Sequence, residues 1–316
     1  MKIGIIGLGD IAQKAYLPVI TQRPEIELVF CTRNQHTLAH LAAQYRITKT
    51  CTQYQDLLKF QVDAVMIHAA TAAHPEIAAF FLRHGIATFV DKPLANSAAD
   101  CEQLYALAEQ YQQPLYVGFN RRHLPLLNQH LVGVQQGLRD DLLGLRWEKN
   151  RHALPGDIRT FLFDDFIHPL DSINLYAKAD LQDAYITHQM AGKQLARIDI
   201  QWQHGATLLH ASMNRQFGIT SESVSAQFVN QSYQFHSFSE GIHWQNNQPQ
   251  LLASPDWTPM LTNKGFSAMI DEWLRVIQQG KLAHSIIERN LASHQLAEAL
   301  CARITHADNL LSNHAQ

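Results

Sequence analysis

The chain opens on a short apolar run, Met1-Lys2-Ile3, that passes directly into Gly4-Ile5-Ile6-Gly7-Leu8-Gly9-Asp10-Ile11-Ala12. A strand that meets Gly7-x-Gly9-x-x-Ala12 this abruptly reads as the start of a dinucleotide-binding βαβ unit. Gly7 permits the tight turn and Gly9 lets the backbone approach a pyrophosphate. Ala12, small like the third glycine of the usual pattern, lets the following helix pack close to the strand. That helix begins around Asp10 and Ile11, where free N–H groups and the positive end of the helix dipole face the phosphates. A tight strand-to-helix turn with no ligand also uses such a triplet, so the rest of the chain must decide.

A chain of 316 residues has room for about two domains. Its 46% hydrophobic and 17% charged residues suit a globular protein with a large core. A net charge of −3 leaves no electrostatic footprint for nucleic acid. No apolar run reaches the roughly eighteen residues of a membrane span, and Met1-Lys2 leads into a strand rather than a signal peptide. Cys31, Cys51, Cys101 and Cys301 form no CxxC and read as reduced thiols of a cytoplasmic protein. The 18 histidines show no metal-ligand spacing, so no metal is expected.

Through residue 120 two periodicities alternate. Ile26–Cys31, Ala64–His68, Ala87–Val90 and Leu115–Val117 have strand length. Between them, Leu38, Leu41, Ala42 and Tyr45 line one helix face, as do Cys101, Leu104, Tyr105 and Ala108 after a cap at Asn96 or Ser97. Pro75 suits an early helical position before Glu76–His84, and Gly85 a stop. This alternation predicts a doubly wound parallel sheet over residues 1–122, an α/β Rossmann domain. A helix over Leu124–Leu138 then leads into a second domain, residues 123–316. There Leu145–Asn150, Ala184–Met190, Ala196–Gln203, Ala206–Met213, Val224–Val229 and Ser232–Phe238 read as strands of a mostly antiparallel sheet. Phe266–Gln278 and Leu291–Leu311 return to helical spacing, and these helices can pack back on the first domain.

Three segments carry candidate chemistry. Asp91-Lys92-Pro93 follows the buried strand ending at Val90, and ligands of open α/β sheets bind beyond the carboxyl ends of strands. Lys92 there can hold a substrate oxygen, or it is a solvated loop lysine. In Asp164-Asp165-Phe166-Ile167-His168-Pro169-Leu170-Asp171, helical spacing puts Asp164, His168 and Asp171 on one face. A carboxylate beside an imidazole suits a proton acceptor, although an acidic helix start with a satisfied histidine reads the same, and Pro169 requires that the helix start close to it. In Gly118-Phe119-Asn120-Arg121-Arg122-His123, Asn120 can bond a cofactor and the arginines can hold acidic groups or form interdomain salt bridges. Arg151, His152 and Trp202 are candidates for substrate contact, Arg151 and His152 for an acidic or hydroxyl-rich ligand.

Taken together, Gly7-x-Gly9-x-x-Ala12, the Thr71…His74 loop, Asp91-Lys92-Pro93, Gly118-Phe119-Asn120-Arg121-Arg122 and Asp164-x-x-x-His168-x-x-Asp171 resemble the Gfo/Idh/MocA family along essentially the whole chain, most closely its MviM branch. The resemblance implies Lys92, His168 and Asp164 as the catalytic set and places nicotinamide against the loop Ala70–His74, with Ala70, Thr71 and His74 as cofactor contacts. It also implies an open-faced second-domain sheet through which the chain forms a homodimer. Two departures stand out: Asp91 replaces the family's glutamate, and Phe166 replaces a glycine, where a bulky ring would narrow the pocket.

About twenty residues after the glycines, NAD-specific sites carry a carboxylate for the ribose 2′-OH. Here the strand ends in Thr32-Arg33-Asn34, so Thr32 can donate a hydrogen bond and Arg33 can pair with a 2′-phosphate, which predicts NADP(H) over NAD(H). The reading is an NADP(H)-dependent oxidoreductase acting on a polyol, sugar or related small molecule. The alternative is a dinucleotide-binding sensor without turnover, acting through a protein partner.

Overall fold

A computed structural model describes residues 1–314. By their internal contacts the residues divide into two compact units, 1–120 with 265–287 and 121–264 with 288 onward. The first unit is built on a six-stranded parallel sheet: β1 (Lys2–Ile6), β2 (Glu27–Cys31), β3 (Thr50–Cys51), β4 (Ala64–Ile67), β5 (Ala87–Val90) and β6 (Leu115–Val117). Their order, β3-β2-β1-β4-β5-β6, reverses between β1 and β4 and opens a crevice at the carboxyl ends of those two strands. A π-helical turn, Ala12–Tyr16, runs into α1 (Leu17–Ile20) after the glycines. Then come α2 (Gln35–Tyr45), whose first turn is capped by the Asn34 side chain, α3 (His74–Arg83) with Pro75 near its start, and α4 (Ala98–Gln110), capped by Ser97.

The second unit opens with α5 (Pro125–His130), which stops well short of the helix expected to Leu138. Leu131 leaves helical geometry and Gly133 takes φ +80°, so the chain turns and only a short 3-10 segment, Val134–Gln136, follows. Next are β7 (Gly144–His152), α6 (Ile158–Thr160), a π-helical stretch Phe161–Phe166 and α7 (Ile167–Ile173). Pro169 is the third residue of α7, directly behind the wide turns that accommodate a missing N–H. Strands β8 (Tyr185–Ala191), β9 (Gln194–His204), β10 (Thr207–Phe217), β11 (Ser221–Phe228), β12 (Gln231–Phe235), β13 (Glu240–Gln245) and β14 (Gln248–Ala253) complete an eight-stranded sheet ordered β14-β13-β12-β11-β7-β10-β9-β8. Only the β7–β10 pair is parallel. One face packs Leu145, Trp147, Ile198, Ile200, Ala211, Met213, Val224 and Ala226 against Phe161, Leu162, Phe163, Phe166 and Leu170.

After α8 (Met260–Asn263), the helix α9 (Phe266–Gln279) groups with the first unit. The reason lies in its aromatics. Phe266 meets the Tyr16 ring edge-on at 5.3 Å, and Trp273 lies 5.9 and 5.8 Å from Phe89 and Tyr116. Asp271 adds a salt bridge to Arg23 at 2.7 Å. The last helix, α10 (His284–His314), supplies the second unit from Glu288 on. No described helix is long and apolar enough to cross a membrane.

Candidate active site

In the first unit the glycine turn is closed by its neighbours. A Cβ on Gly7, which has φ +84°, would fall 2.6 Å from the Ala69 amide nitrogen, so no other residue fits beneath the β4 crossing. A Cβ on Gly9, in contrast, would meet nothing within 4 Å. That open approach to the main chain is what a pyrophosphate needs, and the turn therefore fits a dinucleotide. Ala12 is fully buried beneath it, whereas Asp10 and Ile11 are exposed at the start of the helix, Asp10 paired with Lys14 at 2.7 Å. At the end of β2, Thr32 donates its N–H to Cys51 O, and Arg33 is exposed with no salt bridge to any described residue. The end of β2 thus offers a guanidinium and a hydroxyl.

The segment around Lys92 is pinned on both sides. Tyr16 Oη donates to Asp91 Oδ1 at 2.6 Å, and the Asp91 N–H donates to Ile67 O at 2.9 Å. On the other side the Lys92–Pro93 peptide is cis, and Pro93 O lies 3.0 Å from His74 Nδ1. Lys92 itself remains half-exposed between these anchors. His74, expected as a cofactor contact, is buried with its other ring nitrogen 2.9 Å from Ala69 O. The ring N–H can donate to either carbonyl, so His74 sits between the Ala70–Thr71 loop and the Lys92 turn and leaves Ala70 and Thr71 facing outward. His68 lies beneath, its ring 4.0 Å from that of Tyr16, and neither ring nitrogen has a hydrogen-bond partner among the described residues. Burial, with His74 beside it, holds its pKa down at about 3, so it packs as a neutral ring. Asn120 is buried at the end of the unit.

Cys31 and Cys51 are directly paired across β2 and β3. A hydrogen bond from the buried Cys31 thiol lowers the pKa of Cys51, while Cys31, donating to it and desolvated, is raised. Cys101 and Cys301 are buried. Cys51 is therefore expected to be the first of the four to be alkylated by iodoacetamide under native conditions, as read by peptide mass mapping.

In the second unit the acidic segment separates into distinct roles. Asp164 is exposed, and His168 is largely buried at the start of α7. Asp171, expected beside them on one face, is instead sealed: Arg122 Nη2 and Nε donate to its two oxygens at 2.6 and 2.9 Å, and Ser293 Oγ donates at 2.8 Å. Arg289 stands 3.8 Å away and donates to the Asp171 carbonyl at 2.6 Å. With both oxygens taken and 1% exposure, Asp171 has no capacity left for a substrate. Arg121 pairs with Glu222 of the same unit at 2.8 Å, as Arg122 pairs with Asp171. Phe166 is buried in the sheet-backed core, 6.5 Å from the Phe161 ring, so it fills core rather than pocket. Trp202, expected as a substrate contact, is instead buried in the same core. His152 is exposed, its Nδ1 3.2 Å from Phe217 O, on the opposite face of β7 from Arg151.

Asp165, which the spacing argument passed over, is the focus of this region. Lys149 Nζ lies 2.5 Å from it, Arg151 Nη2 2.9 Å and Arg215 Nη2 2.9 Å. Burial alone would raise its pKa, but Lys149 and Arg151 hold it well below the usual carboxylate range. Burial, followed by Arg121, pushes Lys149 down to about 7. One signal for Lys149 was present in the sequence: it shares strand alternation with Leu145 and Trp147, an apolar face where a lysine must find a partner. Tyr16 and Arg215 had no such signal. Among the described residues, no three His, Cys, Asp or Glu side chains are grouped to hold a metal.

Comparison with known proteins places these features in context. A family model described as an oxidoreductase family with an NAD-binding Rossmann fold, GFO_IDH_MocA, matches residues 1–119. A crystal structure of a Gfo/Idh/MocA family oxidoreductase from Vibrio cholerae is 62% identical, covers 98% of this chain and 99% of its own, and superposes with a TM-score of 0.96. A dehydrogenase (MviM) from Clostridium difficile is 25% identical over 97% of this chain and 99% of its own, with a TM-score of 0.84. YceM of Salmonella typhimurium, designated an oxidoreductase, is 29% identical over 95% of this chain and 97% of its own length.

Proposed function

Because this chain belongs to the Gfo/Idh/MocA family of oxidoreductases, we propose that it transfers a hydride between NADP(H) and a hydroxyl or carbonyl group of a polyol, sugar or related small molecule. The observation that carries this reading is Lys92, set between two anchored residues at the carboxyl end of β5, where open α/β sheets bind their ligands. Once bound, the nicotinamide supplies the two-electron step by accepting or giving up a hydride at C4. The protein supplies the rest. The main chain at Gly7, Gly9, Asp10, Ile11 and Ala12 receives the pyrophosphate, and Ala70, Thr71 and Asn120 border the nicotinamide end. Lys92 donates a hydrogen bond to the reacting oxygen and stabilises the negative charge that develops on it. In oxidation His168 takes the hydroxyl proton, and in reduction it returns one to the carbonyl oxygen. Asp164 orients the imidazole. A second copy of the chain is the partner we expect on the outer face of the eight-stranded sheet, where Arg146, Glu148, Arg197, Asp199 and His210 lie outside the core.

The test is incubation with NADP⁺ or NADPH and a panel of polyols, sugars, keto sugars and hydroxy acids, following nicotinamide absorbance. Turnover supports the reading, and failure with every compound despite dinucleotide binding counts against it. For the cofactor, Arg33→Ala is expected to weaken NADPH binding by roughly ten- to a hundredfold, the worth of a charge-assisted hydrogen bond, and to leave NADH binding unchanged. Equal affinity of the wild type for both dinucleotides would remove the NADP(H) preference.

A further inference from the structure

The charges around Asp165 do not balance. Lys149, Arg151 and Arg215 converge on this one carboxylate, at 2.5, 2.9 and 2.9 Å. Glu222 also faces the group among the described residues, and it is already matched by Arg121 at 2.8 Å and by the Trp147 indole N–H at 2.9 Å. Lys149 and Arg215 are buried, at 3% and 6% exposure, and Asp165 is buried with them. An excess of positive charge in a desolvated site is costly. A carboxylate needs one bidentate guanidinium, and apolar residues would tie the strands together at lower cost.

The surplus has an outlet. Arg151 spends Nε and Nη2 on Asp165, at 3.0 and 2.9 Å, and no described residue accepts from Nη1. Its side chain is 34% exposed, the most open of the three cations. Asp165, which fixes the guanidinium plane, lies three residues before His168, within one helical turn, and α7 packs on β7 and β10, the strands that carry Lys149, Arg151 and Arg215. A guanidinium held along its Nε/Nη2 edge with Nη1 open is pre-oriented to receive an oxyanion.

We infer that the substrate carries an anionic oxygen group, a carboxylate or phosphate, and that Arg151 receives it through its open Nη1, with the buried Arg215 supplying unneutralised charge behind it. This rests on the oxidoreductase reading for the word substrate, whereas the anion site itself does not. An acidic sugar or hydroxy acid meets the charge, and a neutral polyol leaves it unanswered.

The experiment titrates D-gluconate, inorganic phosphate and neutral D-glucitol into NADP⁺-saturated protein by calorimetry, so that the cofactor's own phosphate site is filled. The wild type is expected to bind both anions, and Arg151→Gln to lose roughly ten- to a hundredfold of that affinity with D-glucitol unaffected. Thermal melting of Arg151→Gln and retained NADP⁺ binding show that the variant is folded. Equal anion affinity in the two proteins, or turnover of D-glucitol with no anion bound, overturns the inference and leaves the oxidoreductase reading standing. Anion binding lost in Arg151→Gln, with no nicotinamide absorbance change for any compound, supports the site and counts against the oxidoreductase reading instead.

Discussion

Lys92→Ala is expected to lower turnover by roughly a hundred- to a thousandfold while nicotinamide affinity stays close to that of the wild type. The size follows from the proposed role, a positioned donor to a developing oxyanion, whose removal costs about 3–4 kcal/mol of barrier. The unchanged affinity follows from the anchoring. Asp91 is held by Tyr16 and Pro93 by His74, so truncating the lysine side chain leaves the turn in place. Steady-state rates beside a fluorescence titration of NADPH separate the two effects. Near-wild-type turnover would show that Lys92 is a solvated loop residue. A parallel loss of affinity and rate would show that it serves the cofactor rather than the reacting oxygen.

The largest effect on stability is expected from Asp171→Ala, at about 3–5 kcal/mol, the usual consequence of deleting one partner of a buried ion pair. Arg122 would lose both hydrogen bonds of its fork, and Arg289 and Ser293 would lose the carboxylate they face. At roughly 2–4 °C per kcal/mol for a unit of this size, Tm should fall by about 6–20 °C. The effect has a signed pH dependence. Burial alone would raise the Asp171 pKa, but Arg122 and Arg289 hold it below its ordinary value. Its contribution is therefore complete above the unfolded value near 3.9 and is lost as pH falls through the lower folded value. Melting curves at neutral pH and below about pH 4 should show the gap between wild type and variant narrowing on acidification. A gap that widens there, or is absent at neutral pH, would contradict the assignment.

What sequence could convey follows the range of the interactions involved. In the first unit β2, β4, β5 and β6 are short apolar runs between helices, and their expected spans agree with the observed ones to within a residue, whereas the two-residue β3, Thr50–Cys51, is too short to carry such a run. The cap at Ser97 and the stop at Gly85 are local chemistry and were equally readable. In the second unit β13 and β14 escaped notice because Gln245, Gln248 and Gln250 give little apolar signal, although the turn between them, Asn246-Asn247 with φ +54° and +59°, is a residue pair suited to a two-residue hairpin. The helical pattern of α9 shows that Phe266, Met269, Ile270, Trp273 and Val276 share a buried face, but not that Tyr16 and Phe89 are what they bury against. The candidate site divides the same way. Asp164, Asp165 and Asp171 are close in sequence, and their different fates depend on partners from far away. Arg122 arrives from 49 residues upstream, Ser293 from 122 downstream and Arg215 from 50 downstream. Spacing alone could not separate an exposed acid from a cation-bound one and a sealed one.

Hydride transfer is tested most directly with NADPH carrying deuterium at both positions of nicotinamide C4, so that transfer from either face delivers the label. The labelled cofactor is incubated with the protein and a panel of keto sugars and keto acids, and the products are read by mass spectrometry. The expected product is an alcohol carrying one deuterium on its carbinol carbon for each NADPH consumed. NADPH that binds tightly yet is recovered with its label intact from every incubation would contradict it, and would mark the protein as a dinucleotide-binding sensor.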